Sequence, residues 1–126
     1  MRAAMPKVLA KESGDEVFMP PGGEAEARRF YGQLLGLRET MKPPGEKGVW
    51  FQTDAGLFKV LPKEGYRAPS NPPPSARFRV DKAEAMRQAL DKARFRVYDA
   101  PHEVGTRGFY AQDAAGNRVE LRERPG

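Results

Sequence analysis

The chain has 126 residues, of which 39% are hydrophobic and 31% are charged, values typical of one globular domain. It contains no cysteine, which excludes disulfides, thiolate catalysis and cysteine-bound zinc, and it has a single histidine, His102. The formal net charge of +5 permits weak attraction to nucleic acid or anionic metabolites without choosing between them.

The chain shows no signal for secretion or membrane insertion. MRAAMPKVLAKESG lacks the apolar core of a secretory signal, and no run approaches the roughly 18 apolar residues of a membrane span. We therefore expect a cytoplasmic protein with no membrane partner. Because the basic residues form no block, nucleic acid is not the expected partner either.

The first half of the chain predicts a strand, a helix and a hairpin. Residues 15–19, DEVFM, have the pattern of a short strand. GEAEARRFYGQLLGL then places apolar residues at helical spacing from Ala27 to Leu34, and Gly36 is a natural stop for this helix. VWFQTDAGLFKVL follows as two strands joined by a glycine turn.

A proline-rich segment at about residues 67–74 is predicted to be a linker, because proline cannot join a central sheet ladder or a helix interior. After it, ARFRV predicts a strand, DKAEAMRQALDKA predicts a helix with Met86 and Leu90 on its apolar face, and RFRVY predicts another strand. Asp81 and Glu84 have the spacing of a capping box. FYAQDAAGNRVEL closes the series as a second hairpin.

Corresponding elements of the two halves recur at a period near 60 residues. Gln52 and Gln112, for example, hold the same place in the two hairpins and lie 60 positions apart. Such a period predicts two copies of one module, at about residues 7–66 and 75–126, within a single domain spanning 1–126. Each module has a strand, a helix and then two or three further strands.

Alternation along the predicted strands sorts polar and apolar side chains onto opposite faces. Arg77 lies on the polar face of ARFRV, Lys59 on the polar side of LFKVL, and Arg118 and Glu120 share the polar face of NRVEL. We expect the apolar faces to pack on the helices, and the polar faces to line a concave surface or meet solvent. Alternation leaves open which face of its strand carries Trp50.

The two modules, the RRFYGQLLGL helix and the closing FYAQDAAGNRVEL hairpin resemble the vicinal oxygen chelate superfamily, which includes glyoxalase I, bleomycin-resistance proteins, fosfomycin-resistance enzymes and extradiol dioxygenases. The resemblance covers nearly the whole chain. It implies an α+β fold of two tandem βαβββ modules, which form a curved mixed sheet, or cup, with the helices packed on its outer face. It also implies a homodimer and, in catalytic members, a divalent metal inside the cup.

The resemblance places the metal ligands on the first and last strand of each module. Glu120 matches this pattern, whereas Lys59 on the last strand of the first module and Ser75 on the first strand of the second module depart from it. The remaining position falls on Gly14 or Glu16, depending on how the PPGG segment is counted. A lysine is a poor ligand because its ammonium must first lose a proton.

We therefore expect no metal and no other cofactor. His102 cannot by itself supply the two imidazoles that the superfamily commonly uses. Lys59 and Glu120 are instead expected to face each other in a salt bridge where a metal would have joined them.

The function expected from these residues is binding of a neutral or anionic small molecule in the cup, without catalysis. The alternative is a metal-dependent lyase or dioxygenase of the same superfamily with a non-standard site. A third reading is an interaction protein that uses its basic surface. The expected ligand pocket consists of Glu16, Trp50, Lys59, Ser75, Arg77, Arg118 and Glu120.

Overall fold

The computed structural model describes residues 5–101 and 106–123, so His102 lies outside the described residues. Within the described part, no helix is long and apolar enough to cross a membrane. The elements in chain order are β1 (Val8–Ser13), β2 (Glu16–Met19), α1 (Glu24–Ala27) with its π-helical continuation (Arg28–Leu34), β3 (Arg38–Thr40), β4 (Val49–Thr53), β5 (Gly56–Pro62), β6 (Ala76–Val80), α2 (Ala83–Lys92), β7 (Val97–Asp99), β8 (Arg107–Gln112) and β9 (Arg118–Glu123).

The strands form two mixed sheets, with the orders β2-β5-β4-β3 and β1-β6-β9-β8-β7. In each sheet the first strand of a βαβββ unit pairs in parallel with the last strand, and the last three strands form an antiparallel meander. The predicted fold class, α+β with two tandem βαβββ units, is confirmed. The first unit comprises β2 to β5, and the second comprises β6 to β9.

Strand β1 was not predicted from the sequence, and it connects the two sheets. It pairs antiparallel with β6 of the second unit, and only Gly14 and Asp15 separate it from β2 of the first. Gly14 has φ +92°, and a Cβ at this position would lie 2.7 Å from Ala76 Cα and would also meet the carbonyl oxygen of Ser75. Glycine is therefore required where the chain passes between the sheets.

The apolar faces of both sheets pack against the helices in one continuous core. Phe58 of β5 meets Phe78 of β6 edge to face with ring centroids 5.5 Å apart, and Phe30 meets Phe95 in the same way at 5.0 Å. Burial of one such side chain contributes about 1.5–3 kcal/mol. The sorting of side chains predicted from strand alternation is confirmed, and the two units share a core.

The first helix is less regular than its sequence predicts. After Ala27 it continues as a π-helical segment, at whose end the N–H of Leu35 donates to the carbonyl of Phe30, five residues earlier. Gly36 has φ +81° and ends the helix, as predicted.

The second helix begins without the predicted capping box. Its N-terminal cap residue is Lys82, which forms no side-chain cap, and Asp81 Oδ1 accepts a hydrogen bond from the N–H of Lys7 instead. Glu123 Oε1 accepts from the N–H of Ala83 at 2.7 Å, so a side chain distant in sequence satisfies the first turn.

A buried hydrogen-bond network joins the two units beside the turn between β8 and β9. The hydroxyl of Tyr31, from the first helix, donates to Asp113 Oδ2 at 2.7 Å. Asn117 Nδ2 donates to the same oxygen at 2.9 Å and to the carbonyl of Phe18 at 2.7 Å, and Tyr66 donates to Asn117 Oδ1. These bonds fix the start of β9 relative to the first unit.

Candidate ligand-binding site

We call the side of the sheets turned away from the helices the inner face. In the second unit, strand pairing places four side chains in a row across this face: Arg77 on β6, Glu120 on β9, Tyr110 on β8 and Tyr98 on β7. Their sequence neighbours, such as Leu121 and Phe109, point into the core. The row therefore lies outside the apolar core, with Glu120 buried and Arg77, Tyr110 and Tyr98 partly exposed.

The first unit has a corresponding row, formed by Glu16, Lys59, Trp50 and Thr40 on β2, β5, β4 and β3. Trp50 is 7% exposed but does not belong to the core cluster, which its neighbour Phe51 joins. Trp50 therefore lies on the inner face, which the sequence left open. Trp50 holds the same place in this row, beside Lys59, that Tyr110 holds beside Glu120 in the other.

The expected salt bridge between Lys59 and Glu120 is wrong. Glu120 Oε2 lies 2.5 Å from Arg122 Nη2 and 3.3 Å from Arg77 Nε. The acid therefore takes its partners from its own unit, because parallel pairing of β6 with β9 places Arg77 beside it and Arg122 follows two residues later on the same face.

Lys59 has an aromatic partner instead of an acid. Its Nζ lies 3.9 Å from the centroid of the Trp50 ring, a cation–π contact between neighbouring strands. Trp50 Nε1 in turn donates to the carbonyl of Lys47 at 3.1 Å, which fixes the plane of the indole.

Arg118 is held over two tyrosine rings. Its guanidinium carbon lies 4.8 Å from the centroid of Tyr110 and 5.2 Å from that of Tyr98. Arg118 Nε donates to the Tyr98 hydroxyl at 2.6 Å, and Nη2 donates to Asn71 Oδ1 of the proline-rich segment at 2.9 Å. These contacts form a flat, cationic platform beside Glu120.

The remaining two predicted pocket residues, Glu16 and Ser75, lie at the ends of their rows or strands. Glu16 pairs with Lys59 in register, and its side chain is exposed. Ser75 precedes the first residue of β6, and its N–H donates to the carbonyl of Arg118 at 2.8 Å. Ser75 was expected in the pocket near Glu120. The register of β6 against β9 places Arg77 beside Glu120 instead.

Sequence reasoning missed Arg122, Tyr98 and Asn71 as members of this site. Arg122 could have been found, because strand alternation puts it on the same face as Glu120. Tyr98 and Asn71 reach Arg118 only through the fold, from 20 and 47 positions away in sequence.

A family model matches most of the chain. The model for the Glyoxalase/Bleomycin resistance protein/Dioxygenase superfamily matches residues 16–121. The chain belongs to this superfamily. The search of curated proteins found no match.

Solved structures of the superfamily are similar over nearly their full length. A glyoxalase family protein from Bacillus anthracis is 28% identical, with 99% of this chain and 100% of that chain covered and a TM-score of 0.74. A lactoylglutathione lyase from Agrobacterium tumefaciens is 23% identical, with 89% and 93% covered and a TM-score of 0.59. An antibiotic binding protein from a Streptomyces species is 21% identical, with 90% and 97% covered and a TM-score of 0.56.

The metal centre that the superfamily resemblance implies does not fit the residues present. Lys59 offers an ammonium at one ligand position, and the carboxylate of Glu120 at another is contacted by two guanidinium groups. Across residues 5–101 and 106–123, no group of three or more Asp, Glu, His or Cys side chains could hold a metal ion. A divalent cation at Glu120 would also have to displace two positive charges.

Proposed function

We propose that this superfamily member binds a neutral or anionic small molecule on the inner face, without a metal and without catalysis. The observation that carries this proposal is the state of Glu120. Its Oε2 atom is buried in ion pairs with Arg77 and Arg122, whereas the Nε atom of Arg122 is buried without any acceptor. A buried polar atom without a partner costs about 1–3 kcal/mol, which a bound molecule can recover.

The charges around Glu120 favour some ligands over others. Alternation on β6 and β9 puts Arg77, Arg79, Arg118 and Arg122 on the inner face of the second unit, against the single acid Glu120. This excess of positive charge attracts anions and repels cations. The aromatic rings beside it supply the apolar contact that most small-molecule sites provide.

The test is ligand binding followed by intrinsic fluorescence. Trp50 is the only tryptophan in the chain, so its emission reports on the inner face of the first unit. We expect neutral or anionic aromatic compounds in a panel to change the Trp50 emission saturably. A chelator should leave each dissociation constant unchanged within about twofold.

Metal analysis of the purified protein separates this proposal from a metal-dependent lyase or dioxygenase. Stoichiometric zinc, nickel, manganese or iron, together with ligand binding that disappears on chelation, would overturn the proposal. A Trp50→Phe variant is the optical control, because the fluorescence change should disappear together with the only tryptophan. Homodimer formation and a cytoplasmic location stay predictions.

A further inference from the structure

We infer that Arg77 and Arg122 form an oxyanion site, which binds a carboxylate or phosphate group carried by an organic ligand. This inference rests on the proposed function and names the chemical group that the inner face recognises. Glu120 partly occupies the site from within the protein and competes with the ligand for the two guanidinium groups.

The charge count at this cluster leaves room for one more anion. Arg77 and Arg122 carry two positive charges, and both contact the same oxygen of the single carboxylate of Glu120. One carboxylate cannot neutralise both guanidinium groups or accept from all their N–H donors, since each guanidinium has five. A second oxyanion would balance the charge and accept the hydrogen bonds that are missing.

The contacts that exist are close in distance but lack hydrogen-bond alignment. Arg77 Nε lies 3.3 Å from Glu120 Oε2, but this ion pair lacks the geometry of a hydrogen bond, and the buried Arg122 Nε has no acceptor at all. Nε and one Nη of a guanidinium form a planar fork that fits two oxygens of a carboxylate or phosphate. In both arginines the Nε arm of this fork makes no hydrogen bond.

The cluster is open on one side. The side chain of Glu120 is 4% exposed and that of Arg122 is 15% exposed, whereas that of Arg77 is 39% exposed. A ligand can therefore contact the exposed part of Arg77, whereas the Nε atoms of both arginines are buried and require the Arg77 side chain to turn aside before a ligand reaches them.

The surroundings indicate that the oxyanion belongs to an organic, planar molecule. Tyr110 is the register neighbour of Glu120, and Arg118 covers its ring with a centroid distance of 4.8 Å. A guanidinium fixed over an aromatic ring is a stacking surface for a second flat group. Inorganic phosphate should bind the arginines but lose this contact.

The experiment compares 1-naphthoate with its neutral analogue 1-naphthalenemethanol by isothermal titration calorimetry, with inorganic phosphate as a third probe. We expect naphthoate to bind at least about tenfold more tightly than the alcohol, because only the anion gains charge-assisted hydrogen bonds. Phosphate should bind more weakly than naphthoate. Equal affinities for naphthoate and the alcohol would overturn the inference while leaving the proposed function in place.

Variants assign the effect to this cluster. Arg77→Gln and Arg122→Gln should each weaken naphthoate binding about tenfold and change binding of the alcohol less than twofold. Arg87→Gln is the matched control, because Arg87 pairs with exposed Asp99 and lies over Phe109 on the helix side. If Arg122→Gln does not fold, Arg77→Gln still decides, since its side chain is partly exposed.

Glu120→Gln should change the affinity for naphthoate in the opposite direction from the arginine variants. Removing the internal competitor should tighten naphthoate binding about fivefold to tenfold, whereas a merely structural salt bridge would give no gain in affinity. Unchanged or weaker naphthoate binding by Glu120→Gln would overturn the inference. If neither naphthalene probe binds but other neutral compounds still change the Trp50 emission, the oxyanion site is wrong and the proposed function survives.

Discussion

Glu120 and Lys59 occupy positions where the superfamily resemblance places metal ligands, and each has found a partner within its own unit. Glu120 contacts two arginines, and Lys59 lies over an indole ring. The two units place acid and base on opposite strands. In the first unit the acid, Glu16, is on the first strand and the base is on the last, whereas in the second unit the acid, Glu120, is on the last strand. Neither Glu120 nor Lys59 therefore reaches across to the other unit for its partner.

Lys59→Met tests this assignment of partners. The substitution keeps the length of the side chain and removes the ammonium, so we expect the free energy of unfolding to fall by only about 0.5–1 kcal/mol. The Trp50 emission should change as well, because the ammonium lies 3.9 Å from the ring centroid. Chemical unfolding and fluorescence spectra measure both effects.

Lys63→Met is the control for Lys59→Met, because Lys63 lies over Phe18 and not over Trp50. It should leave the Trp50 emission unchanged. A loss of about 3–5 kcal/mol in Lys59→Met would contradict our assignment, because that is the cost of breaking a buried ion pair.

The passage from β1 to β2 is the element on which the relation of the two sheets depends. Gly14 combines a positive φ with a close approach to the backbone of Ser75 and Ala76. The positive φ disfavours any residue with a side chain, and the close approach leaves no room for a Cβ. The glycine thus allows a single stretch of chain to contribute to both sheets.

Gly14→Ala should lower the free energy of unfolding by about 3 kcal/mol or more, because left-handed strain and steric overlap add. Gly56→Ala is the matched control: Gly56 has φ +94°, close to the +92° of Gly14, but a Cβ there meets nothing within 4 Å. The control should lose about 1 kcal/mol from strain alone. Equal losses in the two variants would show that the close approach does not matter.

The whole molecule is held together by a shared core and by the network of Tyr31, Asp113 and Asn117. Burial raises the pKa of Asp113 above its usual value, and hydrogen bonds from Asn117 and Tyr31 offset this only in part. Burial and the neighbouring Asp113 likewise raise the pKa of Tyr31 well above the usual value. The network therefore couples the contact between the units to pH.

Because the pKa of Asp113 is higher in the folded than in the unfolded protein, the folded state binds its proton more strongly. This contribution to stability is complete below the unfolded pKa and is lost as pH rises through the folded pKa. The free-energy advantage of the wild type over Asp113→Asn should accordingly shrink as pH rises through the acid range. Urea unfolding of both proteins at several pH values measures it, and a constant difference would contradict the prediction.

Near neutral pH, Asp113→Asn should still be less stable than the wild type by about 1–3 kcal/mol. Both oxygens of Asp113 accept hydrogen bonds, from the side chains of Tyr31 and Asn117 and from two backbone N–H groups. The amide of Asn has one acceptor oxygen where the carboxylate of Asp113 has two. Its NH2 group would therefore meet N–H or O–H groups that now donate to Asp113. Tyr31→Phe is the milder comparison, since it removes a single bond and keeps the ring.

Local patterns predicted two modules that each have a strand, a helix and two or three further strands, the face on which each strand side chain lies and the glycine that ends the first helix. These features follow from periods of 2 and 3.6 residues and from the backbone freedom of glycine, which are properties of a short stretch of chain. The same patterns failed for β1, whose polar residues Lys11, Glu12 and Ser13 resemble no half-buried strand. They also failed for the capping box, because Lys7 and Glu123 supply the partners from distant positions.

The partners of Glu120 were decided by strand pairing. Alternation placed Arg77, Arg118 and Lys59 on polar faces as possible partners of an acid, but only the register of β6 against β9 selects Arg77 and excludes Lys59. Register is a relation between segments about 40 residues apart, set by the packing of the whole core. The sequence therefore predicted which residue types could form a site, whereas the pairing of strands in the tertiary structure determined which of them are in contact.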